Sequence, residues 1–121
     1  MTDETRTALI TGGGSGIGAA FARRMARRGI RCAILGRNAD KLERTAAEIG
    51  TEEGLTPLVV PADQQDEAAV RSAVDQVADA FGRIDIVFNN AAIYDFATAA
   101  GASMDLWDET MAVNFRGPLL V

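Results

Sequence analysis

The chain has 121 residues, 48% of them hydrophobic, which is enough to close one compact core and too little for two domains. Twelve basic residues stand against 17 acidic ones, giving a net charge of −5 without a basic run of the kind that binds a phosphate backbone, so nucleic acid is excluded as an expected partner. Histidine is absent and Cys32 is the single cysteine, which excludes an intrachain disulfide and a clustered Cys/His metal site.

The first residues, Met1-Thr2-Asp3-Glu4-Thr5-Arg6, carry acids and threonines where an export signal would carry positive charge and then an apolar stretch. Apolar runs are interrupted by charge or glycine long before the ~20 residues needed to cross a bilayer. A cytoplasmic protein with no membrane partner is the expectation.

Residues 7–11 form the first short, nearly continuously apolar run, as expected of a strand buried on both faces. A glycine-rich loop follows, and then Ile17, Ala20, Phe21 and Met25 recur at helical spacing, with Arg23, Arg24, Arg27 and Arg28 on the remaining surface. Gly29 is placed to end that helix as a left-handed cap. A second strand is expected over residues 30–35. A second helix should run from about residue 39 to 49, with Asn38 before it and Gly50 as its stop. Residues 57–61 read as the third strand. Val70, Ala73, Val74, Val77 and Phe81 then mark the clearest helix, with Asp66 as N-cap and Gly82 just past its end. Residues 84–88 read as the fourth strand, and a last helix starts near Ser103.

Strands alternating with helices specify a parallel sheet covered by helices. Right-handed crossovers give the strand order 3-2-1-4, and the reversal between strands 1 and 4 opens a ligand crevice at the strands' carboxyl ends. Two loops border it, residues 11–18 and 89–92.

Thr11-Gly12-Gly13-Gly14-Ser15-Gly16-Ile17-Gly18 joins a strand to a helix. Its glycines permit positive φ and close approach of a ligand to the backbone, while free N–H groups and the helix dipole favour a pyrophosphate. The spacing Thr-Gly-x-x-x-Gly-Ile-Gly resembles the cofactor motif of the short-chain dehydrogenases/reductases. Asn89-Asn90-Ala91-Ala92 is similar to the family's Asn-Asn-Ala-Gly, with Ala92 in place of glycine, and Asn114 within Val113-Asn114-Phe115-Arg116-Gly117-Pro118 also matches. The resemblance spans essentially the whole chain and implies a Rossmann-type, doubly wound α/β domain over residues 1–121, incomplete at its C-terminus.

By this resemblance Gly12, Gly16, Ile17 and Gly18 cradle the pyrophosphate, and Ser15 brings a hydroxyl near the adenosine ribose. Asp63 accepts from the adenine amino group, with Gln64 alongside, although an aspartate there could equally cap the next helix. Asn90 and Ala91 line the nicotinamide ribose, whereas Asn89 ties strand 4 to its neighbours. The main chain of Asn114 helps to hold a water that passes protons to the family's catalytic lysine. Pro118, four residues on and lacking an N–H, removes that carbonyl's usual helical donor, so a kink is expected; a helix ending near Gly117 is the plainer alternative.

Cofactor choice is read at the end of strand 2, where an NAD site usually presents an acid to the ribose 2′-hydroxyl. Here Leu35-Gly36-Arg37-Asn38 offers glycine and then a guanidinium suited to a 2′-phosphate. NADP(H) is the expected cofactor, and a solvated loop arginine is the alternative.

The family's tyrosine, with a lysine four positions later, has no counterpart. Tyr94 is followed at that distance by Thr98, and the single lysine is Lys41. The chain alone is therefore expected to be inactive, the cofactor half of an oxidoreductase that moves hydride between nicotinamide and an alcohol or carbonyl. A non-catalytic nucleotide-binding or assembly module is the competing class. A methyltransferase would want an acid near Gly36 and has no use for the Asn-Asn-Ala motif. Residues 84–88 would leave a sheet edge open, and Trp107, Met111, Phe115 and Leu119 would need cover, so a homo-oligomer is expected.

Overall fold

The computed structural model describes residues 6–91, 101 and 103–116. Four strands, β1 (Thr7–Thr11), β2 (Arg31–Gly36), β3 (Leu58–Pro61) and β4 (Ile86–Phe88), form one parallel sheet in the order β3-β2-β1-β4. Thr7 pairs with Arg31 and Thr11 with Leu35, Ala33 with Leu58, and Ala8 with Ile86, so all four strands point their carboxyl ends the same way. The chain is thus a Rossmann-like α/β sheet, and its order reverses between β1 and β4 as the alternation of elements requires.

The pleat divides the core in two. Ala8, Ile10, Cys32 and Ile34 face helices α1 (Gly16–Arg27) and α2 (Ala39–Glu53), while Leu9, Ala33, Leu35 and Val60 face α3 (Glu67–Phe81). Burial pushes the Cys32 thiol up to about 12, so it stays protonated and serves as a small apolar group.

Two helices differ from their sequence reading. The buried seam of α1 is Gly18, Ala22 and Ala26, with Phe21 and Met25 packed beside it, whereas Ile17 and Ala20 are exposed. Small residues let the helix lie close to the sheet, and this closeness turns the larger side chains to its flanks. Phe21 accordingly stacks tilted on Phe88 of β4, ring centres 4.4 Å apart. In α2, Gly50 is not a stop. The helix continues to Glu53 and is capped by left-handed Gly54, because a Cβ at residue 50 would overlap Thr56 Oγ1 where the chain returns toward β3. Helix α3 is capped as its sequence indicates: Asp66 accepts from Ala69 N at 3.2 Å, and Gly82 follows in the left-handed region.

A fourth helix, α4 (Met104–Met111), is capped by Ser103 and passes into a π-helical turn, Ala112–Arg116. This turn contains Asn114; Gly117, Pro118 and Leu119, where a kink and a helix end would differ, lie outside the described residues. Trp107 and Met111 are exposed, as is Val87 on β4, whose described pairing is with β1 alone. Among the described residues no helix is long and apolar enough to cross a membrane.

The start of the sheet carries an acid-sensitive anchor. Thr7 N donates to Asp85 Oδ2 at 2.9 Å, Thr7 Oγ1 donates to the Arg83 carbonyl at 2.6 Å, and Arg83 Nε donates to Asp85 Oδ1 at 2.8 Å. The Arg83 hydrogen bond, and after it the Thr7 N–H, hold the Asp85 carboxyl below its ordinary 3.8. A depressed folded value stabilises fully above the unfolded one and is lost as pH falls through the folded one. Unfolding measured down an acid series should therefore show part of the wild-type stability disappearing below pH 3.8 and that part missing from Asp85→Asn at every pH; superimposable acid limbs would refute the anchor.

Candidate functional site

The carboxyl ends of β1, β2, β3 and β4 meet around a crevice of about 640 Å³, within the range of small-molecule and cofactor sites. Its floor is the loop after β1. Gly12 N donates to the Leu35 carbonyl at 2.8 Å, which pins the loop across the end of β2. Gly12 has φ +66°, and a Cβ there would stand 2.9 Å from Asn90 Nδ2 and 3.0 Å from Ala91 Cα. Gly13 is buried, and its Cβ would lie 2.5 Å from Ile34 Cβ. Gly16, φ +56°, opens α1 with nothing near its Cβ position, so its backbone is open to the crevice. Ser15 before it is extended and makes no side-chain capping bond, and the first turn of α1 has no acid. Bare amides, an uncommitted hydroxyl and the positive end of a helix converge there, an arrangement that takes an anion.

Two buried threonines hold this floor: Thr11, which opens the loop motif, and Thr45, which the sequence reading passed over. Thr45 Oγ1 donates from α2 to the Gly14 carbonyl at 2.7 Å. Thr11 Oγ1 accepts from Asn90 N at 2.9 Å and Ala91 N at 3.0 Å, and Asn90 Nδ2 donates to the Gly12 carbonyl at 3.3 Å. The tie between β4 and its neighbours expected of Asn89 is thus made by Asn90, while Asn89 itself is exposed. Ala92 and Tyr94 lie outside the described residues.

Most sequence-derived residues are brought together at this crevice. Gly12, Ser15, Gly16 and Ile17 line one side; Ile17, 72% exposed, is turned to the opening rather than to the core. Asn90 and Ala91 line the β4 end, and Arg37, Asp63 and Gln64 the end formed by β2 and β3. Gly18 is the exception. It lies buried behind the loop, where a Cβ would overlap the Gly12 carbonyl oxygen, so its lack of a side chain lets α1 pack closely on the loop. Asn114 is exposed, one residue beyond the lining Val113.

Asp63 is released from the competing role of helix cap, which Asp66 fills. Its Oδ1 accepts from Gln65 N at 2.9 Å, a local turn that sets the carboxylate at the crevice. Arg37 is exposed at the mouth, and among the described residues it makes no ion pair. Lys41, on the first turn of α2, adds a second cation to that end. Nothing in the sequence singled out Lys41; the Asn38 cap, accepting from Lys41 N at 3.1 Å, starts α2 early enough to place it there. Among the described residues no cluster of Asp, Glu or Cys is arranged to hold a metal.

A model of the short chain dehydrogenase family matches residues 6–121. D-threitol dehydrogenase of Mycolicibacterium smegmatis is 41% identical over 116 residues, 96% of this chain and 44% of that protein. The alcohol dehydrogenase from the archaeon Thermococcus sibiricus, solved in complex with 5-hydroxy-NADP, superposes with a TM-score of 0.92 at 32% identity, over 97% of this chain and 50% of that one. The 3-ketoacyl-(acyl-carrier-protein) reductase of Brucella melitensis, complexed with NADH, gives a TM-score of 0.88 at 38% identity, over 98% and 48%. The chain spans about half the length of the relatives it matches. Their shared extent takes in the whole crevice and every strand that frames it, and on that ground the chain belongs to the short-chain dehydrogenase family of oxidoreductases.

Proposed function

We propose that the chain is the NADP(H)-binding half of an oxidoreductase whose whole form moves hydride between the nicotinamide and a small alcohol or carbonyl compound. The observation that carries this reading is the sequence Gly36-Arg37 at the mouth of the crevice: no carboxylate at the end of β2, and two cations, Arg37 and Lys41, on one side of it. A carboxylate there would select a ribose 2′-hydroxyl; a planar guanidinium selects a 2′-phosphate. When bound, the cofactor supplies the hydride. The chain's own residues bind and orient: Gly12, Gly16 and Ile17 hold the pyrophosphate, Ser15 brings its hydroxyl near the adenosine ribose, Asp63 accepts from adenine with Gln64 alongside, and Asn90 and Ala91 border the nicotinamide ribose. Structural relatives carry either a phosphorylated or an unphosphorylated cofactor, so the choice rests on this chain's residues.

No Tyr-x-x-x-Lys occurs in the 121 residues, so binding without turnover is expected of this chain. Asn114 would serve in proton transfer only alongside such a pair. The reading includes a cytoplasmic protein that associates with copies of itself and takes neither nucleic acid nor membrane as partner.

Calorimetric titration tests it. Wild type should bind NADPH more tightly than NADH, and Arg37→Ala should lose about 10- to 100-fold in NADPH affinity, the range for one charge-assisted contact, with NADH affinity unchanged. Equal or tighter binding of NADH by wild type would overturn the assignment.

A further inference from the structure

Gln64 has a second attachment that its position beside Asp63 does not require. The residue is 4% exposed, and its Nε2 donates to the Val113 carbonyl at 3.0 Å, across 49 positions of sequence. Oε1 is buried with no partner among the described residues. A side chain retained only to fill space would be served better by an apolar group of the same shape, since an unpaired buried carboxamide oxygen opposes folding. What the amide achieves is therefore the bond to Val113. That bond crosses from the end of β3 to the π-helical turn Ala112–Arg116, immediately before Asn114. Helix α4, which leads into the turn, has no buried residue of its own, whereas Val113 is 6% exposed and lines the crevice together with Gln64. One side chain thus borders the end of the crevice beside Asp63 and holds the main chain that presents Asn114.

We infer that Gln64 is a positioning residue, whose carboxamide fixes the Asn114 turn to the β3 end of the crevice and so links occupancy of that crevice to the setting of Asn114. The inference rests on the cofactor reading above for the identity of the occupant. Linkage is reciprocal: if the occupant steadies the turn through Gln64, then Gln64 strengthens the occupant's binding by the same factor.

Hydrogen exchange of the amides of residues 112–116, with and without NADPH, tests this on the 121-residue chain. In wild type NADPH should slow exchange there about fivefold, the lower end of ordinary coupling factors. Gln64→Met keeps the volume and removes both the donor and the unpaired oxygen. It should melt close to wild type, relief of the unpaired oxygen offsetting the Val113 carbonyl that loses its donor, and it should exchange faster at 112–116 without ligand, lose the slowing by NADPH, and bind NADPH about fivefold more weakly. Exchange in β1 should not change, which a general loosening would not allow. Gln64→Asn, polar but one methylene too short to reach Val113, should behave like the methionine variant. Unchanged exchange at 112–116 in both variants, or equal slowing by NADPH in wild type and variants, would overturn the inference. Should wild type bind neither NADPH nor NADH, the cofactor reading fails, and the ligand-free comparison still decides whether Gln64 holds the turn.

Discussion

Gly18→Ala is expected to lower stability by about 2 kcal/mol or more and to abolish measurable NADPH binding, although alanine is the better helix former. The two effects oppose each other, and their sizes decide the sign. Replacing glycine inside a helix gains at most about 1 kcal/mol from propensity. Against that, the new Cβ would overlap the Gly12 carbonyl oxygen and stand 2.7 Å from Asn90 Nδ2. Neither neighbour can yield cheaply. Gly12 is held by its N–H to the Leu35 carbonyl at 2.8 Å, and Asn90 by its own N–H to Thr11 Oγ1 at 2.9 Å. Relief must therefore come from lifting α1 off the loop, which opens the seam of Gly18, Ala22 and Ala26 and moves the amides of the anion cradle. Urea unfolding and NADPH calorimetry on the same preparation check both halves. A variant as stable as wild type with unaltered affinity would show that the helix is not held at this distance.

Gly18 also illustrates what a sequence can carry and what it cannot. Spacing alone marked residues 12, 16 and 18 as one glycine motif, because backbone freedom looks the same in a string of letters whatever causes it. Two causes separate in the structure: positive φ at Gly12 and Gly16, and a close helix-to-loop approach at Gly18. The strands, their order and the place of the crevice were legible because buried parallel strands are short and continuously apolar, and because chirality fixes the crossovers. Helix faces were less so. In α1 the large apolar residues suggested one stripe, yet contact with a sheet favours the smallest side chains, and Ile17 was turned to the crevice. Gly50 misled for a related reason, since its space is needed by Thr56, a residue that becomes its neighbour only after the chain has turned back. Lys41 and the bond from Gln64 to Val113 had no local signal at all. They depend on where α2 starts and on contact between segments 49 residues apart.

Thr11→Val should cost about 1–3 kcal/mol and weaken NADPH binding, while Thr11→Ser stays within about 1 kcal/mol of wild type. Thr11 is wholly buried, and its hydroxyl oxygen is the acceptor for two consecutive backbone N–H groups, those of Asn90 and Ala91. Valine has nearly the same shape and a favourable strand propensity, worth a few tenths of a kcal/mol at a position already β-branched. It offers no acceptor. The Ala91 N–H is left unpaired, at a cost of about 1–3 kcal/mol when buried and less where water can reach it, while the Asn90 N–H keeps the Phe88 carbonyl at 3.1 Å; the loss still exceeds any gain from propensity. At roughly 4 °C per kcal/mol for a chain of this size, the melting temperature should fall by about 4–12 °C. Serine keeps the oxygen and loses only a methyl group, so the order wild type, serine, valine separates the hydroxyl's role from that of volume. The reverse order, with valine close to wild type and serine well below it, would mean that Thr11 serves the core by its methyl and that another acceptor positions the Asn90-Ala91 segment. The effect on binding follows from the same geometry. The chain leaves β4 and turns along the crevice at Asn90 and Ala91, and without the Thr11 oxygen nothing in β1 fixes the direction of those two amides, so the wall they form is no longer set before a ligand arrives.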